Sequence, residues 1–560
     1  MPEAITDNLD LWTSALLTKS TAGRGSNGKL EAYGIKKLRE LILELAVRGK
    51  LVPQDPNDEP ASGLLKTIAA EKTRLVKQGV IRKEDFLPAI ADEEKLYQIP
   101  KSWEWVRLTD VYYSISPSGK KLKTSEIVGE GKHPVVDQGQ SYIAGYTNDS
   151  ELLIVIPGPV VIFGDHTTEI KYIDFDFVAG ADGTKILRPY LMDERFFYTY
   201  LKSYKLENRG YARHFKVLND NLYALPPIAE QHRIVAKVDE LMAMCDELEQ
   251  QQTHSIEAHQ TLVEILLGTL TRVETQQEFS AALARIASYF DILFTTEASI
   301  DQLKLTILQL AVMGKLVSQD PNDEPASMLL EEIATEKARL VEEGKIKKEK
   351  QPTDITTAVE PFDIPERWAW TDLSQLLALV TDGDHQAPPQ SQEGVPFLVI
   401  GNLNTGKINF DGCKYVPIDY YEKLDWVRKP VAGDLLYTVT GSFGIPVPVE
   451  TREQFCVQRH VAILKATDST PRRYLELVLG SKFAIEYATT IATGIAQKTV
   501  PLTGLRRMPI PVAPKNEQHR IVAKVDELMA LCDSLKARLA DAQAIQLHLA
   551  DAIVEQATLD

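Results

Sequence analysis

The pattern of apolar and polar positions along this chain predicts a small set of elements, and predicts most of them twice. Residues 38–47 (LRELILELAV) and 303–312 (LKLTILQLAV) place apolar side chains at helical spacing and are stopped by Gly49 and Gly314. A turn-forming stretch, QDPNDEPAS, follows each, and then an amphipathic helix over 64–78 or 329–343 with Gly79 or Gly344 just past its end. Two longer helices begin at Glu230 and Glu517. In the first, Ile234, Leu241, Leu248 and Leu262 recur every seven residues with Ser255 as the gap, beside Val238, Cys245, Gln252, His259 and Leu266. In the second, Ile521, Leu528, Leu535, Ala542 and Leu549 run beside Val525, Cys532, Leu539, Gln546 and Ile553. These stripes read as a and d seams, each helix pairing antiparallel with the other; Gln252, His259 and Gln546 read as register-fixing positions rather than metal ligands. As one helix, residues 230–272 would span about 65 Å.

Between these helices the pattern changes to mixed α/β. Residues 152–163 (LLIVIPGPVVIF) and 175–187 alternate like strands around GDHTT and GADGT turns, and residues 397–408 and 434–439 do so beside TDGDHQAPP and TGSFG. Trp103/Trp105 and Trp368/Trp370 follow Ile-Pro and predict a strand start with the indoles as core anchors. Each insert ends in a Gly-centred polar loop, residues 208–216 (NRGYARHFK) or 493–499 (TGIAQKT). Residues 23–30 formally match GxGxxG and a Walker A lacking its Ser/Thr, because Leu30 follows Lys29. A phosphate loop needs a strand before it, and LDLWTSALLTKS shows no strand pattern, so this segment reads as a solvated loop.

The duplication is quantitative. Residues 230–249 and 517–536 agree at 17 of 20 positions, and residues 38–79 and 303–344 at 29 of 42. The offset between copies is 265 up to residues 99–108 and 364–373, and 287 at the long helices. Near-identical frames therefore enclose two inserts of unlike sequence. The expected domains are 1–98 (first frame, helical), 99–229 (first insert), 230–272 (central long helix), 273–363 (second frame, helical), 364–516 (second insert) and 517–560 (C-terminal long helix).

Composition narrows the function. No apolar run approaches a membrane span and the acidic N-terminal decapeptide lacks a signal's basic region, which points to the cytoplasm. Cys245, Cys413, Cys456 and Cys532 form no CxxC pair, which argues against zinc, and Cys245 and Cys532 read as small buried hydrophobes. The net charge of −17 sits on the frames and tails: residues 109–228 carry −2 and residues 371–515 carry +1. Near-neutral inserts imply few phosphate contacts, so DNA binding would need a partner with basic surface. A self-contained methyltransferase is disfavoured because neither Pro226-Pro227 nor Pro388-Pro389 sits in an Asn/Asp-Pro-Pro-aromatic motif, and a nuclease because Glu93-x-Lys95 lies in a charged linker. A coiled-coil scaffold without DNA would leave two unlike inserts in equivalent places unexplained.

The AV-x-GKLV-x-QDPNDEPAS frame, the GxAxx loop and the Pro-rich run into EQxxIVAKVDELM resemble the specificity subunits of type I restriction–modification systems over essentially the whole chain. The resemblance implies an α/β (α+β) multidomain fold: two mixed α/β target-recognition domains joined by two long antiparallel coiled-coil helices in a pseudo-two-fold repeat. It implies a non-catalytic subunit whose inserts each read half of an asymmetric, split DNA target. Two methyltransferase and two restriction subunits are the implied partners, and S-adenosylmethionine, ATP and Mg2+ belong to them rather than to this chain. Expected DNA contacts in the first insert are Asp165, His166, Thr167, Arg209, Tyr211, Arg213, His214 and Lys216. In the second they are Asp382, Asp384, His385, Gln386, Thr440, Ser442, Arg459, His460, Gln497 and Lys498. Ile234, Val238, Leu241, Leu248, Ile521, Val525, Leu528 and Leu535 are the expected coiled-coil and subunit-docking positions.

Overall fold

Each frame is built by helices that bury one apolar stripe, and Gly49 and Gly314 show how the first of them ends. Both glycines adopt left-handed φ, 69° and 68°, just past helices Tyr33–Val47 and Glu297–Val312. A Cβ on either would stand 2.5 Å from the Cγ of Pro100 or Pro365, so the Ile-Pro that enters each insert closes over the helix end. The computed structural model describes residues 3–19, 29–82, 89–117, 119–180, 183–206, 213–347, 360–385, 388–495 and 497–559. The chain divides into two compact units, one built from residues up to Ser255 together with those from Gln543 on, the other from Ile256–Ala542.

In the first unit, helix Tyr33–Val47 is flanked by the start of the long helix Ile228–Arg272 and the end of the other, Lys515–Leu559. Arg39 bridges Asp246 and Glu249, while Tyr33 bonds Asp551 at 2.8 Å and Arg48 bonds the Thr558 carbonyl at 2.7 Å. In the second unit, helix Glu297–Val312 plays the same part: Lys536 pairs with Asp301, and Lys315 donates to the carbonyls of Thr271 and Val273. With Gln54 meeting Glu230 in the first unit, and Lys304 meeting Asp533 and His259 meeting the Ile292 carbonyl in the second, the order of these contacts makes the two long helices antiparallel within each unit.

The heptad reading holds for the first halves of the long helices and then slips. Ile234, Val238, Leu241 and Cys245, and likewise Ile521, Val525 and Cys532, are buried in their unit's core, with Leu248, Leu528 and Leu535 half-buried against it. Leu262 and Leu549, however, are about half exposed, and Val263, Leu267, Ala550 and Val554 are buried in their place. The cause is geometric: a 3.6-residue helix drifts by ~20° per heptad, so four heptads accumulate nearly one residue position. Gln252 donates to the Thr13 carbonyl, and His259 meets the Ile292 carbonyl at 3.1 Å.

A hairpin of β1 (Leu17–Lys19) and β2 (Lys29–Glu31) corrects the expectation that no strand precedes the glycine-rich segment. A second strand rather than a helix follows it, so the strand–loop–helix order of a phosphate site is absent among the described residues; residues 20–28 lie outside them.

The first insert holds β3 (Glu104–Arg107), β4 (Tyr112–Ile115), β5 (His133–Val136), β6 (Gly145–Thr147), β7 (Val160–Gly164), β8 (Ile170–Ile173), β9 (Val178–Ala179), β10 (Thr184–Pro189) and β11 (Leu222–Leu225). The second holds β12 (Ala369–Asp372), β13 (Leu379–Asp382), β14 (Val395–Leu398), β15 (Lys414–Val416), β16 (Leu435–Thr438), β17 (Pro446–Pro448), β18 (Cys456–Val457), β19 (Val461–Lys465) and β20 (Pro509–Val512). Despite unlike sequences the two have one topology. Antiparallel sheets β4-β10-β7-β8 and β13-β19-β16-β17 correspond strand by strand, as do β6-β5-β9 and β15-β14-β18, each with one antiparallel and one parallel pairing. The pairs β3/β11 and β12/β20 close each insert onto its frame. The central strands β7, β16 and β19 are buried throughout, and for that reason their continuous apolar runs lack alternation. The strand expected over 397–408 ends at Leu398, where a 3-10 turn Ile400–Asn402 begins.

Candidate nucleic-acid interface

At one corner of each main sheet, three chain segments are stitched by the same backbone bonds. In the first insert the Asp165 N–H donates to the Gly183 carbonyl at 2.8 Å, and the His214 N–H donates to the Asp165 carbonyl at 2.8 Å. In the second, Val439 N–H donates to His460 and Val500 N–H to Val439, at 3.0 and 2.8 Å. The turn after β7 therefore corresponds to the turn after β16, and the loop before β10 to that before β19. The segment 213–216 corresponds to 499–502. The two Gly-Asp-His tripeptides do not correspond, since Gly164-Asp165-His166 follows β7 whereas Gly383-Asp384-His385 follows β13, the counterpart of β4.

Several expected base contacts instead hold these corners together. Asp165 and His214 are 3 % and 1 % exposed. The Asp165 carboxylate accepts from the Phe215 N–H at 2.9 Å and lies 3.6 Å from Lys185, which sits over the Phe215 ring. Asp384 accepts from Tyr420 at 2.8 Å and Arg428 at 2.6 Å, and burial, helped by the bond to this carboxylate, pushes the Tyr420 phenol well above its ordinary range. Thr440 is buried against Thr499 at 3.3 Å. Asp382 is buried and meets the His385 ring at 3.1 Å. Asp165, His214 and Thr440 are buried in these contacts, while the Asp382 and Asp384 carboxylates, partly exposed, are engaged by His385 and by Tyr420 and Arg428.

The remaining candidates do reach solvent. Thr167, Arg213, Lys216, His385, Ser442, Arg459, Gln497 and Lys498 are exposed, and His166 and His460 half-buried. The Gly441 N–H donates to the Lys498 carbonyl at 3.0 Å, which brings Ser442, Gln497 and Lys498 to one edge with Arg459 and His460. Burial and the adjacent Arg459 guanidinium hold the His460 imidazole below its ordinary value. Arg209, Tyr211 and Gln386 lie outside the described residues.

The sequence reading missed the turn of residues 137–141 (DQGQS) between β5 and β6. Gln138 accepts from the His166 N–H at 3.1 Å, and its carbonyl accepts from Thr167 Oγ1 at 2.6 Å, so this turn is the seat of the β7–β8 turn. Its signal was the Asp-x-Gly turn flanked by glutamines. Among the described residues no group of three or more His, Cys, Asp or Glu could hold a metal ion, and no helix is long and apolar enough to cross a membrane.

Residues 100–258 match the family described as type I restriction modification DNA specificity domain. The chain is 40 % identical to the type I restriction enzyme EcoAI specificity subunit of Escherichia coli, over 99 % of both proteins. It is 39 % identical to the EcoEI specificity subunit of the same organism, again over 99 % of both. A solved structure from work on complex assembly and conformational transition of the type I R-M system covers 82 % of this chain and 99 % of its own at 18 % identity, with a TM-score of 0.44. With two inserts of one topology held in repeated frames, and that identity sustained from end to end, the chain belongs to the specificity subunits of type I restriction enzymes.

Proposed function

We propose that the inserts, residues 99–229 and 364–516, are target-recognition domains that each read one half of an asymmetric, bipartite DNA sequence. The observation that carries this reading is one topology used twice, with different side chains at the corresponding corners. A shared scaffold with unlike edges reads two unlike half-sites, because sequence is discriminated by side chains at base edges while phosphate contacts only set position. The exposed set Thr167, Arg213, Lys216, His385, Ser442, Arg459, Gln497 and Lys498, with His166 and His460, supplies donors and acceptors suited to that task.

The long helices, 230–272 and 517–560, set the unread spacer. The frames, 1–98 and 273–363, together with the outward faces of those helices, dock two methyltransferase subunits and, for cleavage, two restriction subunits. The inward seam of Ile234, Val238, Leu241, Ile521 and Val525 is buried in the chain's own cores, which favours the outward faces for docking. The chain itself is non-catalytic and works in the cytoplasm. S-adenosylmethionine, ATP and Mg2+ act on the partner subunits, where the target adenine is flipped out for methylation.

The test is to co-express the chain with its methyltransferase partner in a methylation-free host and map N6-methyladenine. The expected motif is split and asymmetric, and exchange of residues 109–228 for another insert changes one half alone. A motif that changes in both halves, or methylation by this chain without its partner, would overturn the reading.

A further inference from the structure

Lys171, on β8, is a buried cation, 5 % exposed, in a strand whose next inward residue is Ile173. Its ammonium donates to the Asp137 carbonyl at 2.8 Å and the Ser141 carbonyl at 2.6 Å, the two ends of the turn 137–141. The Asp137 carboxylate is farther, at 3.6 Å, and accepts the Gly139 N–H at 2.9 Å. Burial pushes the Lys171 ammonium down from its ordinary value, a cost that an apolar side chain at this position would not incur. Two glycines make room for the same turn: a Cβ on Gly183 would stand 2.5 Å from Gln138 Oε1, and one on Gly164 3.0 Å from Gln138 Cβ. The turn is thus held at both ends and in the middle. Gln140 and Ser141 are its exposed residues, and Gln140 makes no hydrogen bond among the described residues.

Resting on the target-recognition reading above, we infer that residues 137–141 form a base-reading turn, with Gln140 contacting an adenine edge in the major groove and Lys171 as its positioning residue. A carboxamide presents one donor and one acceptor at the spacing of adenine N6 and N7. A flexible glutamine loses part of that interaction to ordering, and a turn fixed from beneath leaves only the side chain's own rotors to be ordered. Gln138, in the same turn, is used to seat the β7–β8 turn, which brings His166 and Thr167 to the same edge.

The experiment compares the full chain, Gln140→Ala and Lys171→Met, each co-expressed with the methyltransferase partner in a methylation-free host with N6-methyladenine mapped. The wild type gives a split motif. Gln140→Ala lowers the preference for adenine at one position of one half-site by about tenfold to a hundredfold, and leaves the other half intact. Lys171→Met relaxes that same position, whereas loss of a merely structural lysine lowers methylation at every site alike. An unchanged motif in Gln140→Ala overturns the assignment whatever Lys171→Met does, and uniform loss in Lys171→Met overturns the positioning role. A wild-type complex that gives no split motif overturns the underlying reading instead.

Discussion

Some charged side chains inside the inserts brace loops instead of facing solvent, and this decides how their substitution acts. Lys465, at the end of β19, is 3 % exposed and bonds Asp434 at 2.7 Å and the Lys429 carbonyl at 2.5 Å. Arg188, at the matching place on β10, instead reaches the Pro159 carbonyl and Glu194. Removing one member of a buried pair strands the other, so Asp434→Ala is expected to cost the second unit about 3–5 kcal/mol, read by denaturant unfolding. Arg213→Ala and Lys498→Ala, at exposed positions, are expected to leave stability within about 0.5 kcal/mol. Their effect is on DNA affinity, measured with the methyltransferase-bound complex. His460 provides a pH signature. Its folded-state imidazole titrates below the ordinary 6.5, so just under that value the unfolded chain binds more protons. Stability of the second unit therefore falls as pH drops through 6.5, and His460→Gln flattens that part of the profile.

At the scale of elements, each insert is tied to a long helix by one carboxylate at the helix start. Glu230 accepts from Trp103 Nε1 at 2.9 Å and also from Gln54. Glu517 repeats this with Trp368 at 3.0 Å and Gln319 at 2.8 Å. Burial raises both carboxyls, so each anchor becomes more favourable as pH falls toward the ordinary carboxylate range, and weakens as pH rises through the folded value. Glu517→Ala leaves a buried indole N–H unsatisfied and is expected to destabilise the second unit by about 1–3 kcal/mol, as Glu230→Ala does the first; thermal unfolding checks both. The helices, the stops at Gly49 and Gly314 and the tryptophan anchors were legible in the sequence because they follow local periodicity and turn chemistry. The common topology of the inserts was not. It rests on non-local pairings such as β5 with β9 and β14 with β18, which many sequences can satisfy. For the same reason the burial of Asp165, His214 and Thr440 was hidden: polar residues signal a surface until their partners are known. The slip at Leu262 and Leu549 shows the opposite error, a seven-residue rule carried further than a 3.6-residue helix allows.

At the scale of the whole molecule, the acidic frames and near-neutral inserts predict how the chain meets DNA. Alone, it is expected to bind weakly, with a shallow dependence of affinity on salt, and the slope steepens once the methyltransferase partner supplies cationic surface. Fluorescence titrations across ionic strength test this, and a steep slope for the chain alone would place many phosphate contacts on the inserts themselves. The last turns of the C-terminal helix complete the first unit: Ala550 and Val554 lie in its core, and Asp551 holds Tyr33. The order of the gene and the order of the solid parts therefore cross. Truncation ahead of Gln543 would strike the reader translated first, and lesions in residues 33–47 and 543–559 should fall into one phenotypic class, loss of the same half of the target.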